Sequence, residues 1–212
     1  MKRFLHVGCG PKHKDQTTPG FAGADWTEVR LDIDPSCNPD IVGTLLDMKD
    51  VADGSMDAVF SSHNIEHVYP HEVPTVLAEF RRVLAPDGFA VITCPDLKSV
   101  ARLIADDKLT EPAYHTAAGV PIAPLDILYG WGRAIASGNV YMAHHGGFTL
   151  KSLMQAVARA GFGGCFGLAR PANFDLWVLA TKRQMSDEDG RALAAEHFPM
   201  GRPSPVAAAK AS

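Results

Sequence analysis

Two glycines and an aspartate are the first residues whose types and spacing suit chemistry. An apolar run ends at Gly8, Cys9 and Gly10, and Asp32 follows 22 residues after Gly10, at the end of a second apolar run. Glycines let the backbone approach a ligand closely. An acidic residue about 20 positions further on can accept hydrogen bonds from both hydroxyls of a ribose. The pattern therefore indicates a nucleotide-binding site.

Two neighbouring residues refine this interpretation. A dinucleotide fingerprint has a third glycine where this chain has His13, which argues against a nicotinamide-dependent oxidoreductase. Asp34 competes with Asp32 for the ribose, but side chains alternate along a strand, so only one of the two faces the ligand. Pro35 falls in the turn beyond, which favours Asp32. We therefore expect Asp34 to be a capping carboxylate.

The segment His63-Asn64-Ile65-Glu66-His67 is the second candidate group. His63 and His67 share a face only if the segment is helical. Because no third ligand is evident, we expect no metal site here. His63, at the end of a strand, is the catalytic candidate, whereas Glu66 and His67 are expected to orient the loop and cap the next helix.

His144 and His145 form the third candidate group, between an irregular segment and a helix. Histidine titrates near neutral pH, so either one could serve an acceptor as a general base. The alternative is a polar loop that packs under Gly146 and Gly147, and the two interpretations stay open. Asp96 follows a strand and is expected to cap the helix after it.

The elements that position these residues alternate between strands and helices. Strands are predicted at residues 4–7, 26–33, 41–46, 56–61, 89–94, 165–169 and 176–181, and helices at residues 71–84, 97–105, 125–136 and 150–160. Such a series predicts an α/β fold with a doubly wound, mostly parallel sheet. The last two strands have only a short link between them, so they must form a closing antiparallel strand pair.

Two segments depart from this regular alternation. The residues after Gly10, PKHKDQTTPGFAG, have no helical period, so a regular first helix is not expected. Residues 109–147 mix aromatic residues and histidines with prolines and glycines, and they predict either a lid over the site or an ordinary long connection. We expect one domain over residues 1–183, followed at 184–212 by a short helix from Ser186 and a disordered tail.

Composition excludes several classes of function. The net charge of -4 and the lack of a basic stripe argue against nucleic-acid binding, and no apolar run is long enough to insert into a membrane. The N-terminus is interpreted as a first strand and not as a signal peptide. Four cysteines without CxxC spacing suggest a reduced, cytoplasmic protein.

Four ordered segments carry a family resemblance: FLHVGCG, VRLDIDP, GSMDAVFSSHNIEHV and LAEFRRVLAPDGFAVITCPD. Together, over residues 4–96, they resemble the Rossmann-type methyltransferases of the "type 11" kind, which depend on S-adenosylmethionine (SAM). The resemblance implies that the glycine turn holds the methionine part of SAM, the aspartate its ribose, the segment 46–48 its adenine, and that residues 61–64 border the reaction centre. The implied cofactor-binding residues are Gly8, Cys9, Gly10, Asp32, Ile33, Asp47, Met48 and Ser61.

The resemblance implies methyl transfer to a small-molecule or glycan-type acceptor, with His63 or His144 as the catalytic residue. The irregular segment after Gly10 departs from the family outline and leaves open how the carboxylate of SAM is held, for which Lys12, His13 and Lys14 are candidates. The same departure favours the alternative, a non-catalytic SAM-binding accessory protein.

Overall fold

The computed structural model describes residues 1–199, which contain nine strands and seven helices. The strands are β1 (Lys2–Val7), β2 (Trp26–Asp32), β3 (Ile41–Val42), β4 (Met56–Ser62), β5 (Leu84–Pro95), β6 (Tyr114–His115), β7 (Pro121–Ile122), β8 (Gly164–Arg170) and β9 (Asp175–Thr181). The helices are α1 (Pro19–Ala22), α2 (Val73–Val83), α3 (Leu97–Ala105), α4 (Pro124–Tyr129), α5 (Gly132–Ala136), α6 (Leu150–Arg159) and α7 (Asp187–His197).

Seven strands form the central sheet in the order β3-β2-β1-β4-β5-β9-β8, and β6 pairs with β7 in a separate hairpin. The first five strands of the sheet run parallel, whereas β9 is antiparallel to both β5 and β8. The turn between β8 and β9 covers only Pro171–Asn173. The predicted mostly parallel sheet with a closing antiparallel pair is therefore confirmed.

Successive side chains along a strand point to opposite faces of the sheet, and here both faces are apolar. In β1, Leu5 and Val7 join one buried cluster with the inner faces of α2 and α6, while Phe4 joins a second cluster on the opposite face. Residues of α1 and α7 cover that second face. Helices on both faces make the sheet doubly wound, as predicted from the sequence.

The segment after β1 contains no long helix, in agreement with its composition. It forms a 3₁₀ turn at Lys14–Gln16 and the single turn of α1. Phe21 of α1 fills the space on the sheet, with its ring centroid 4.3 Å from that of Phe4 and 4.3 Å from that of His197 in α7. The contact between Phe21 and His197 packs α7 against α1 on the same face of the sheet.

Three predicted boundaries differ from the structure. The strand predicted over residues 41–46 keeps only the two residues of β3. The helix predicted over residues 125–136 is split into α4 and α5 at Gly130, whose φ of +93° interrupts the helix. The strand predicted over residues 89–94 begins instead at Leu84, as β5, and its register shifts against β4.

Within residues 1–199, no helix is both long enough and apolar enough to cross a membrane. The expected disordered tail, GRPSPVAAAKAS, lies outside the described residues. The predicted helix start at Ser186 is confirmed, and Thr149 caps α6 in the same way: each hydroxyl accepts a hydrogen bond from the backbone N–H three residues later.

Candidate active site

A cavity of about 1330 Å³ opens at the carboxyl ends of the parallel strands. One side, here called the strand-end half, is lined by residues 7–12, 31–34 and 43–46. The other side, the insertion half, is lined by residues between 114 and 145. Residues 62–69 lie between the two halves. This is the edge at which open α/β sheets bind their ligands.

Gly8 lets the Asn64 side chain lie against the backbone at the end of β1 in the strand-end half. Its φ is +61°, and a Cβ atom there would lie 1.9 Å from Oδ1 of Asn64. The Asn64 side chain in turn donates hydrogen bonds to the carbonyls of Val7 (2.8 Å) and Ser62 (3.1 Å). Asn64 therefore locks the ends of β1 and β4 together, and only glycine fits at position 8.

Asp32 is buried at the end of β2 and lines the cavity. Its Oδ2 accepts a hydrogen bond from the Gly10 N–H at 2.7 Å, and its Oδ1 accepts one from the Asp34 N–H at 2.9 Å. A carboxylate has about four acceptor sites, so each oxygen keeps capacity for a ligand hydroxyl. The carboxylate is thus preorganised for the ribose role that the family resemblance implies.

Arg30 organises this half, and the sequence analysis missed it. The guanidinium is almost fully buried and donates to the carbonyls of Gly10 (2.6 Å), Lys12 (3.2 Å), Cys37 (3.2 Å) and Asn38 (2.8 Å). It thereby ties the loop after β1 to the loop after β2. A lone arginine in the middle of an apolar strand is the only sequence signal for this role.

Other predicted cofactor residues also line the strand-end half. Ile33 is 40% exposed beside Asp32, and Cys9 is buried in the glycine turn. Burial raises the pKa of the Cys9 thiol to about 11, so it stays protonated at neutral pH and acts as an apolar contact. Asp34 accepts a hydrogen bond from the Ser36 N–H at 2.8 Å, which confirms its predicted capping role. Hydrogen bonding to the Ser36 side chain, and to a smaller extent to its N–H, lowers the pKa of Asp34.

Three predicted cofactor residues do not line the cavity. The Met48 side chain is packed in the core, Asp47 is exposed outside the cavity, and Ser61 is fully buried within the sheet. Asp47 and Met48 lie beyond the end of β3, which stops at Val42, and the cofactor role of all three residues stays a prediction. Leu45 and Leu46 line the cavity in place of the first two, and Ser62 does so in place of Ser61.

Of the three basic residues after the glycine turn, only Lys12 lines the cavity. The Lys14 ammonium donates to the carbonyls of Gly23 and Trp26 and so has a structural role. The exposed His13 lies 3.6 Å from a carboxylate oxygen of Glu28. Lys12 is therefore the remaining candidate to pair with an anionic group at this end.

A buried pair on β1 and β2 was also missed. His6 lines the cavity, and its Nδ1 lies 2.7 Å from Oε1 of Glu28. Desolvation by burial lowers the pKa of His6 and outweighs the carboxylate, so the ring is mostly neutral at neutral pH. A histidine within an otherwise apolar strand is a sequence signal that could have found this pair.

His63 begins the group between the two halves. It has a φ of +55°, which is rare for a non-glycine residue, and its half-exposed ring lines the cavity. Its Nδ1 lies 3.3 Å from Oε1 of the buried Glu66. Desolvation would lower the pKa of His63, but the Glu66 carboxylate outweighs it and leaves that pKa raised.

His67 and His144 meet next to Glu66, with ring centroids 4.7 Å apart. The Nδ1 of His67 lies 2.9 Å from the Ala143 carbonyl, and the Nδ1 of His144 lies 2.9 Å from the Ile127 carbonyl. These contacts attach the insertion to the loop after β4. The N-cap of α2 is Glu72, so the prediction that Glu66 and His67 cap this helix was wrong.

The insertion half presents mainly aromatic and apolar side chains to the cavity. They include Tyr114, Ile127, Trp131 and Tyr141, and the Tyr114 ring stacks on Phe174 with centroids 6.1 Å apart. Near the loop after β4, His145 stacks on Tyr69 with ring centroids 4.3 Å apart, so it packs against a ring and not under the glycines.

Comparison with known proteins agrees with this geometry. Residues 5–92 match the family model described as a methyltransferase domain. A search of curated proteins finds no match. Among solved structures, the chain is similar to a SAM-dependent methyltransferase from Thermotoga maritima described as a possible histamine N-methyltransferase, with 14% identity over 86% of this chain and 83% of that chain and a TM-score of 0.54.

Two further structures have the same fold. One is the 1,6-didemethyltoxoflavin-N1-methyltransferase of Burkholderia thailandensis, solved with 1,6-didemethyltoxoflavin and S-adenosylhomocysteine (15% identity, 86% of this chain and 71% of that chain, TM-score 0.53). The other is a SAM-dependent methyltransferase from Archaeoglobus fulgidus (15% identity, 85% of this chain and 86% of that chain, TM-score 0.52).

Residues 5–92 thus match a methyltransferase-domain model, and the chain has the fold of SAM-dependent methyltransferases, as the four sequence segments indicated. S-adenosylmethionine is the cofactor that the sequence predicts for this fold. The glycine turn, the buried Asp32 with spare acceptor sites and the apolar Leu45 and Leu46 suit a sulfonium nucleoside of this kind.

Proposed function

We propose that this protein transfers a methyl group from SAM to a small-molecule acceptor, bound between the strand ends and the insertion. The proposal rests on the size of the cavity and on its division into a strand-end half and an insertion half. Ligand pockets usually measure about 300–1,000 Å³, and the cavity here reaches about 1330 Å³. It therefore has room for a cofactor in the strand-end half and an acceptor in the insertion half.

In the strand-end half, the chain's own groups bind and orient the cofactor. Gly8 and Gly10 let the backbone approach it, Asp32 accepts the ribose hydroxyls, and Lys12 pairs with the carboxylate. SAM supplies a methyl group that its sulfonium charge already activates. The protein's main task is then to align the acceptor atom with that methyl group.

In the insertion half, aromatic rings select the acceptor. Tyr114, Trp131 and Tyr141 offer flat apolar surfaces with polar edges. Such surfaces suit a planar ring or the apolar face of a sugar, which is the basis for proposing a small-molecule or glycan-type acceptor. The Burkholderia relative is described with a ring compound bound, which supports the first of these classes.

His63 is the histidine that we place against the acceptor. Its ring is about half exposed and lines the cavity at the end of β4, between the two halves. His144 is held more tightly, by the Ile127 carbonyl and by the ring of His67. His63 therefore has the freedom to accept a hydrogen bond from an acceptor, whereas His144 has the rigidity of a positioning group.

The test is a transfer assay with methyl-labelled SAM and fractionated small-molecule and glycan extracts, read by the mass of the labelled product. We expect a labelled product with the wild type, and a reduced kcat with unchanged SAM affinity for His63→Gln. His71→Gln, on the exposed side of the same segment, is the matched control. SAM binding without any labelled product would support the non-catalytic accessory protein instead.

A further inference from the structure

Glu66 is a buried carboxylate without a hydrogen bond. The residue is 1% exposed, and neither carboxylate oxygen has a hydrogen-bond partner within residues 1–199. His63 lies 3.3 Å away, but the two groups are not aligned for a hydrogen bond. A buried carboxylate that accepts no hydrogen bond is costly unless cations compensate its charge, and the half-exposed His63 is one group that does so. Glu66 lines the cavity, so a cation can reach it.

His67 and His144 are arranged as metal-binding histidines are. In each ring Nδ1 lies 2.9 Å from a backbone carbonyl, so Nδ1 carries the proton and donates it. The other ring nitrogen, Nε2, then carries a free lone pair. Histidines that bind metal ions almost always donate their second nitrogen in this way, which fixes both the tautomer and the orientation of the ring.

The three side chains converge on one point. One potential ligand atom from each of Glu66, His67 and His144 lies within 4.8 Å of the other two. The sequence analysis found no third ligand because His144 lies far along the chain and reaches the group only through the insertion. Backbone hydrogen bonds hold it there, since the N–H groups of His145 and Gly146 both donate to the Glu66 carbonyl, at 2.9 and 3.0 Å.

We propose that Glu66, His67 and His144 bind one divalent transition-metal ion at the boundary between the two halves of the cavity. Two imidazoles and one carboxylate suit borderline ions such as Zn²⁺, Co²⁺ or Fe²⁺ better than Mg²⁺ or Ca²⁺, which prefer oxygen ligands. Three protein ligands leave at least one coordination position open to the cavity.

The position of the site suggests two consequences. The ion would join residues 66–67 to the insertion and so stabilise the half of the cavity that receives the acceptor. An oxygen or nitrogen atom of the acceptor would fill the open position, and the ion would lower the pKa of a bound hydroxyl. This second consequence rests on the proposed function, whereas the ion site itself does not.

Metal binding can be measured without SAM or an acceptor. Tag-free protein is stripped with a chelator and titrated with Co²⁺, followed by visible absorption, and with Zn²⁺, followed by calorimetry. We expect one ion per chain, and at least tenfold weaker binding for Glu66→Gln and for His144→Gln. His71→Gln, an exposed histidine outside the cavity, should bind as the wild type does.

Thermal unfolding of each stripped variant shows whether it is folded, and His67→Gln replaces any variant that is not. A wild type that binds neither Co²⁺ nor Zn²⁺ at one equivalent would overturn the proposal. So would equal affinity in Glu66→Gln and His71→Gln, because the ion would then lie elsewhere. Stoichiometric binding that depends on the three ligands supports the site even if no methyl transfer is found.

Discussion

The two halves of the cavity are built in different ways. The strand-end half rests on consecutive strand ends, and Asp32, Arg30 and Asn64 lock its loops through partly buried hydrogen bonds. The insertion half keeps large side chains in solvent, with Tyr114 40% and Tyr141 57% exposed. The comparison indicates a more rigid strand-end half and a more adaptable insertion half, which supports the proposed cofactor and acceptor sites.

Gly8→Ala, in the strand-end half, is expected to have the largest effect on stability and binding. The new Cβ would collide with Asn64 and would require a left-handed alanine, at a combined cost of roughly 2–5 kcal/mol. We expect a lower free energy of unfolding and loss of SAM binding, measured by denaturant unfolding and calorimetry. Gly10→Ala is the matched control for stability, because its φ is also positive but its Cβ meets open space. An equal loss of unfolding free energy in the two variants would contradict the locking role of Asn64.

Acid should destabilise the face of the sheet that α1 and α7 cover, through His197, which packs against Phe21 and Phe89. Burial, with a smaller contribution from Lys2, lowers the pKa of His197 to about 4 from an ordinary 6.5. The unfolded chain therefore binds this proton before the folded one does. The contribution of this group to the free energy of unfolding is fully present above about pH 6.5. It is lost as the pH drops towards 4, by roughly 3 kcal/mol at most.

Urea unfolding of the wild type and of His197→Gln between pH 7 and pH 4 isolates this contribution. The variant also loses the contact between Nδ1 of His197 and the Thr18 hydroxyl, so its stability at pH 7 is lower. Its dependence on pH should nevertheless be shallower than that of the wild type. Parallel pH profiles would show that His197 is not the group that titrates.

A smaller and more selective effect is expected from Gly130→Ala in the insertion. A Cβ there would lie 1.9 Å from the Met142 carbonyl oxygen, and φ is +93°. The insertion would then shift, and we expect the KM for the acceptor to rise about tenfold, which is about 1.4 kcal/mol. SAM affinity should not change. Gly138→Ala, with a positive φ but open space, is the control; a change in SAM affinity would show that the two halves are coupled.

The sequence predicted the strand-end half better than the insertion half for a physical reason. Gly8, Gly10 and Asp32 follow apolar runs whose ends must meet at one edge of a parallel sheet, so local pattern fixes their place. Leu45 lines the cavity where Met48 was predicted to do so, because the length of the short β3 depends on tertiary packing. Glu66 and His144 lie close together only because of the path of the insertion, and no local periodicity of the sequence predicts that path.

The most direct test of the central claim is calorimetric titration with S-adenosylhomocysteine, the demethylated product. Wild-type protein should bind one equivalent, and Asp32→Asn should bind roughly 10 to 100 times more weakly, because a hydrogen bond to a charged group contributes about 1.5–3 kcal/mol. Asp50→Asn removes an exposed carboxylate outside the cavity and should bind as the wild type does. No binding to the wild type, or equal binding by Asp32→Asn, would contradict the assignment of this half of the cavity to the cofactor.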